Sequence, residues 1–186
     1  MKMSFGCGVR AVACAMLALL VFAGGPAGAS DAGSGERIPA VKGTTFAGQA
    51  VELPKDLQGK AGVLVVGFSQ GSRAAVTEWG KRLAVDYYGS PTVAYYEMPV
   101  LAGVPRLLRG WVTGKIKDSV SERGKVHFLP VLENEEAWRT AVHYKGSDDA
   151  YVLVVDGQGR VRWQTQGGFS EGLYEVVKEQ VAAAQR

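Results

Sequence analysis

Two runs restrict the architecture of this chain more than anything else in it: "GVLVVGF" from Gly62 to Phe68 and "YVLVV" from Tyr151 to Val155. Neither alternates apolar with polar residues, and both are rich in β-branched side chains. Each predicts a strand buried on both faces, as in a sheet covered on both sides. The neighbouring segments supply the cover. After the first run, Val76, Trp79, Leu83 and Tyr87 fall on one helical stripe, with Ser72 placed to cap the helix start. "TVAYYEM", Thr92 to Met98, reads as a second strand. Upstream, "TTFAGQAVELP" predicts a small hairpin that turns around Ala47, Gly48 and Gln49 and ends at Pro54.

The region 99–132 is less regular. Within it "VPRLLRGWVTGKIKDSV" has helical spacing despite Gly110 and Gly114, and "KVHFLPVL" reads as a short extended segment. Asn134 is placed to cap a helix carrying Trp138, Ala141 and Val142. "YVLVVDGQGRVRWQT" predicts a hairpin turning at "DGQG", because Val161, Trp163 and Thr165 alternate with Arg160, Arg162 and Gln164. The last helix starts at Ser170, with Phe169 and Tyr174 spaced as a hydrophobic staple and a core face of Leu173, Val176, Val177 and Val181. The order is hairpin, β-α-β, an insertion over 99–132, then α-β-β-α. It implies an α/β fold, a mixed central sheet with helices on both faces.

The first residues have a different character. Lys2 and Arg10 precede the apolar run "AVACAMLALLVFAGG", and Ala27-Gly28-Ala29 satisfies the small-x-small rule for signal peptidase. Residues 1–29 are therefore predicted to be a signal peptide, cleaved after Ala29; an uncleaved membrane anchor is the alternative. No twin-arginine pair is present, and neither Cys7 nor Cys14 ends the apolar run as a lipoprotein cysteine would. Export to the periplasm or another extracytoplasmic space, with or without membrane association, is the expectation. Residues 30–43, small and polar, read as a flexible leader, and 44–186 as one domain.

Cleavage has a chemical consequence. Cys7 and Cys14 are the two cysteines of the sequence, so the mature chain would hold none. It could then neither carry a disulfide nor perform thiol–disulfide exchange. With 21 basic and 18 acidic residues the chain is near neutral. That gives no electrostatic case for nucleic acid. The two histidines and the acidic groups around Glu133, Glu135, Glu136, Asp148 and Asp149 show no metal-ligand spacing, and no cofactor motif is present.

The ordered phrases "FAGQAVELPKDLQGKAGVLVVGF", "FLPVLENEEAW" and "AYVLVVDGQGRVRW" resemble the thioredoxin fold in its redoxin form, over almost all of the chain from Phe46 onward. "GFSQGSRAAVTEW", followed at a distance by "YVLVVDGQGRVRWQTQGGFSEG", is similar to a narrower group, the mitochondrial ATP synthase assembly-factor family. That family is thioredoxin-like without the redox pair. Tyr151, Asp156, Arg162, Trp163 and Gly167 match its closing motif in order. The resemblance implies a chaperone or assembly factor acting on a membrane-embedded subunit of the proton channel, not a catalyst. It also implies that Ser72 and Ala75 stand near the two redox-cysteine positions. Where thioredoxins carry a cis-proline the chain reads Asp149-Ala150, for which a trans bond is expected.

Three surfaces compete as the functional one. Ser69, Gln70, Ser72 and Arg73, at the strand-to-helix junction, suit an anion or small ligand at a helix start, or else an ordinary cap beside a solvated arginine. A serine hydrolase using Ser69 or Ser72 is the enzymatic alternative. "GFSQG" falls short of the nucleophile elbow, and only His127 and His143 are available as base. The third surface is "MPVLAGVPRLLRGWVTGKIK", where Leu107, Leu108 and Trp111 stand among Arg106, Arg109, Lys115 and Lys117. That mixture suits a membrane interface or a partner helix; the alternative is a helix that packs its apolar side on the sheet.

Overall fold

Every residue from Ala61 to Gly67 is buried, and so is every residue from Tyr151 to Val155. In the computed structural model these two runs lie side by side in the middle of a sheet. The structure describes Ala29–Ser30 and residues 35–146 and 148–186. The signal segment expected over 1–29 thus falls outside the described residues apart from Ala29. In chain order the elements are β1 (Ala29–Ser30), β2 (Val41–Thr44), β3 (Ala50–Leu53), β4 (Ala61–Gly67), α1 (Arg73–Tyr87), β5 (Val93–Pro99), α2 (Arg106–Ser119), α3 (Glu135–Ala141), β6 (Tyr151–Val155), β7 (Val161–Gln166) and α4 (Glu171–Ala184).

The sheet order is β1-β7-β6-β4-β5. β4 runs parallel to β5, with Ala61 opposite Val93 and Gly67 opposite Pro99, and antiparallel to β6, with Gly62 opposite Val155. The parallel pair requires a crossover, which α1 provides. Beyond β5, the segment 127–131 runs alongside as an extended edge. Glu97 N–H donates to His127 O, Leu129 N–H to Glu97 O, and Val131 N–H to Pro99 O. β2 and β3 form the separate hairpin, closed by Thr45 N–H donating to Gln49 O at 2.8 Å.

Strand alternation divides the core in two. Val63 and Val65 of β4, Val93 and Tyr95 of β5, and Val152 and Val154 of β6 face α1 and α4, which contribute Val76, Trp79, Leu83, Tyr174, Val177 and Val181. Leu64, Val66, Met98 and Leu153 face the other way, against Trp138 of α3, Leu129, and Val41, Val51 and Leu53 of the hairpin. Both sides of the sheet are covered, as the uninterrupted apolar strands demand.

Three local expectations need correction. The domain begins before residue 44. Ile38 and Val41, the large apolar residues of the supposed leader, are buried in the core, and Ile38 N–H donates to Gly159 O at 2.9 Å. Two apolar side chains sufficed to dock that segment, which its polar average concealed. Ser72 stands at the start of α1 with helical backbone angles, and its side chain makes no cap hydrogen bond. Asn134 precedes α3 with φ +58° and makes no cap hydrogen bond either. Ser170 does cap α4, its Oγ accepting from Leu173 N–H at 3.3 Å. Phe169 and Tyr174 close the staple, with ring centroids 5.9 Å apart.

Candidate functional site

The β4–α1 junction is closed upon itself. Ser72 is 1% exposed, and its Oγ donates to Ser69 O at 2.9 Å, while Ser69 Oγ accepts from Ser72 N–H at 3.0 Å. Gly67 makes room for this, since a Cβ there would lie 2.6 Å from Ser72 Oγ. Among the described residues, neither hydroxyl hydrogen-bonds a histidine or a carboxylate. A nucleophilic serine needs such a base. Ser69, Gln70 and Arg73 are exposed, and Ala75 packs at the edge of the α1/α4 core. Asp148 lies against this corner: a Cβ at Gly71 would come within 2.4 Å of its Cγ. A carboxylate of the protein itself thus sits beside the positive end of the helix, where an external anion would bind.

Helix α2 is attached differently from the others. None of its residues is buried. Arg109 holds it, donating from Nε to Val104 O at 2.7 Å, from one terminal nitrogen to Leu132 O at 3.1 Å, and from the other to Ala102 O. Val112 and Ile116 lie on its inner side and are half-buried over a cavity of about 370 Å³, which Phe68, Val76 and Val100 also line. Leu107, Leu108 and Trp111 are 97%, 53% and 67% exposed, Trp111 at the rim of that cavity. The alternative in which α2 lays its apolar side on the sheet is therefore overturned. Arg109 tethers the helix to three carbonyls, while Val112 and Ile116 are its half-buried apolar contribution to the cavity wall.

A third feature escaped the sequence analysis. Glu97 of β5 is only 7% exposed and lines a larger cavity of about 740 Å³ between α1, the inner side of α2 and the segment 119–124. Burial raises its carboxyl to about 8. Beside it His127 stacks on Tyr95, centroids 3.8 Å apart, with Nδ1 3.1 Å from Tyr95 O. Burial lowers the imidazole below its ordinary value. The signal was present in the strand period: Val93 and Tyr95 face inward, and two residues on the same face carries a carboxylate.

The motif residues of the closing hairpin come together as architecture. Asp156 Oδ1 accepts from Gln158 N–H and Arg160 N–H, both at 2.9 Å, and Oδ2 lies 3.9 Å from Arg162. Trp163 is buried in the α1/α4 core. Tyr151 OH accepts from Lys145 N–H at 3.1 Å, and its ring packs against Phe68 and Tyr144. Gly167, at φ +129°, accepts from Trp79 Nε1 at 3.2 Å.

The family model for the ATP10 protein matches residues 31–181. The chain belongs to the ATP10 family. Within this family member the fold is thioredoxin-like. It is similar to the thiol:disulfide interchange protein DsbE from Chlorobium tepidum (TM-score 0.58, 16% identity, 82% of this chain and 97% of that one). It is similar also to the thioredoxin domain of a thiol-disulfide oxidoreductase from Bacteroides vulgatus (0.53, 17%, 79% and 96%). A further likeness is BsSco, of the Sco family of cytochrome c oxidase assembly proteins (0.53, 13%, 80% and 93%). At these identities the likenesses show the fold alone. No curated protein gives a significant match. This ATP10-family chain has no cysteine among its described residues, and its junction holds Ser72 and Ala75. Its Asp149–Ala150 bond is trans, since Leu53–Pro54 is the one cis bond among the described residues.

Proposed function

We propose that this ATP10-family chain is an exported, redox-inactive binding protein that assists assembly of a membrane complex by holding one of its subunits. The family supports assembly work in general. The observation that carries the reading further is α2, a helix without a buried residue, presenting Leu107, Leu108 and Trp111 to solvent. Exposed apolar clusters of this kind mark interaction surfaces. Arg106, Lys115 and Lys117 flank it, which suits a subunit at a bilayer surface. Export rests on the sequence of residues 1–29. The interlocked Ser69 and Ser72, with Asp148 alongside, speak against a hydrolase or an anion site at the junction.

The test is cross-linking in the native cells, followed by detergent extraction and mass spectrometry. Recovery of an ATP synthase subunit or another membrane subunit, abolished by Leu108→Asp with Trp111→Asp, is the expected result. Recovery unchanged by those substitutions would move the surface elsewhere. No specific membrane partner at all would end the assembly reading.

A further inference from the structure

Glu97 breaks the inward stripe Val93–Tyr95–Glu97 of β5, and α1 answers the break with a glycine. A Cβ at Gly80 would lie 2.2 Å from Glu97 Cδ, so the helix leaves a slot that the carboxylate fills. Among the described residues the carboxylate has no hydrogen bond and no ion pair. A carboxyl group nine-tenths buried, unpartnered and opening on a cavity is a costly arrangement unless something arrives to pair with it.

The surroundings narrow what that is. Three or more clustered ligands, as a metal ion needs, are absent among the described residues. Ala84, Ile116, Val120 and Phe128 supply apolar walls, which suit an aliphatic stem carrying a charged head. The charged groups facing the cavity are otherwise engaged or at its mouth. From α1, Lys81 pairs with Glu78 at 2.8 Å and Arg73 is exposed; from the segment after α2, Arg123 lies 3.9 Å over the Tyr88 ring. Tyr95 and its stacked His127 are the titratable neighbours on the strand side, and α2 contributes the uncharged Ile116. Ile116 belongs to the same helix that carries the exposed apolar patch.

We propose that this cavity receives an arginine or lysine side chain from an apolar segment of the partner, with Glu97 as its counter-ion. The proposal rests on the assembly reading above and names the chemistry of its partner. Entry of the cation ionises Glu97 and releases one proton to solvent. With the carboxyl at about 8 in the empty protein, binding tightens about tenfold per pH unit between roughly pH 6 and pH 8.

The probe is a fluorescein-labelled helical peptide of leucine and alanine with one central arginine, compared with the same peptide carrying citrulline, which keeps the shape and removes the charge. Fluorescence anisotropy on the full chain should show at least tenfold tighter binding of the arginine peptide at pH 8.5, a smaller preference at pH 6, and none in Glu97→Gln. Carbon-13 NMR should show the Glu97 carboxyl titrating well below 8 when the arginine peptide is bound. Equal binding of the two peptides overturns the proposal, as does a preference that survives Glu97→Gln or an unmoved titration. Arginine amide binding as tightly as the peptide also overturns it, because the segment would then be irrelevant. If both peptides bind equally and Leu108→Asp weakens both, the cation pocket fails while the assembly reading stands. If neither binds, the pocket fails, and the cross-linking result alone decides the assembly reading.

Discussion

Trp79 in α1 donates its indole N–H to the carbonyl of Gly167, 3.2 Å away and 88 positions later in the chain. The bond ties the first core helix to the loop after β7. It spans the sheet's two halves: the β4–α1–β5 crossover and the closing β6–β7 hairpin. Phe169, two residues beyond Gly167, closes edge-on against the Trp79 ring at 5.3 Å. Gly167, one of the family-motif residues, is thus part of this closure.

Removing that bond should weaken the whole domain. Trp79→Phe leaves the Gly167 carbonyl without its donor, at a cost of about 1–3 kcal/mol. Trp79→Ala adds a cavity and should cost about 3–5 kcal/mol. Gly167→Ala forces a side chain on to φ +129°, with an expected loss of about 1–3 kcal/mol. Urea unfolding followed by circular dichroism measures all three.

Gly80 and Glu97 should show coupling of opposite sign. In an exposed helix interior, Gly→Ala gains about 1 kcal/mol. Here the new methyl would strike the Glu97 carboxylate, so Gly80→Ala should destabilise the protein by about 1–3 kcal/mol. In a Glu97→Ala background the same change should be neutral or stabilising. A double-mutant cycle in which Gly80→Ala has one sign in both backgrounds would show that the slot is not made for the carboxylate.

The Glu97 carboxyl also makes a prediction about pH. Its folded-state value, about 8, lies above the unfolded value of 4.5. Its contribution to stability is complete below 4.5 and is lost as pH rises through 8, because the unfolded chain ionises the group while the folded one holds it neutral. Stability should decline across that window relative to Glu97→Gln, by about 1 kcal/mol per pH unit at the steepest. His127 acts in the opposite direction, since its lowered value removes stability as pH falls below about 6.5. Subtracting the Glu97→Gln curve isolates the carboxyl.

Helix α2 should separate stability from binding. Leu108→Asp and Trp111→Asp alter exposed side chains and should change unfolding free energy by no more than about 0.5 kcal/mol. Arg109→Ala removes hydrogen bonds to Val104, Leu132 and Ala102. Hydrogen exchange should then accelerate across Arg106–Ser119 while the amides of β4 and β6 stay protected.

The elements themselves were legible because their signals are local. Uninterrupted β-branched runs marked β4 and β6, a 3.6-residue stripe marked α1, and Asp156 with its glycines marked the closing turn. Cap chemistry was less legible. Ser72 has the residue type of a cap, yet its hydroxyl turns back on Ser69 under Gly67, a choice made by the packing of β4 against α1. Ile38 and Val41 were lost in a polar average, because their partners lie on strands much later in the chain. Glu97 was visible only as one polar letter in an apolar strand.

By itself the sequence determined the order of strands and helices, the two-sided burial of the sheet, the family, and the lack of cysteine at the redox corner. These follow from residue types and short spacings. Only the tertiary structure decided that α2 leaves Leu107, Leu108 and Trp111 exposed, that Asp148 reaches the start of α1, and that Glu97 sits opposite Gly80 over a cavity. Each depends on which distant segments meet, and burial is a property of those meetings rather than of any residue alone.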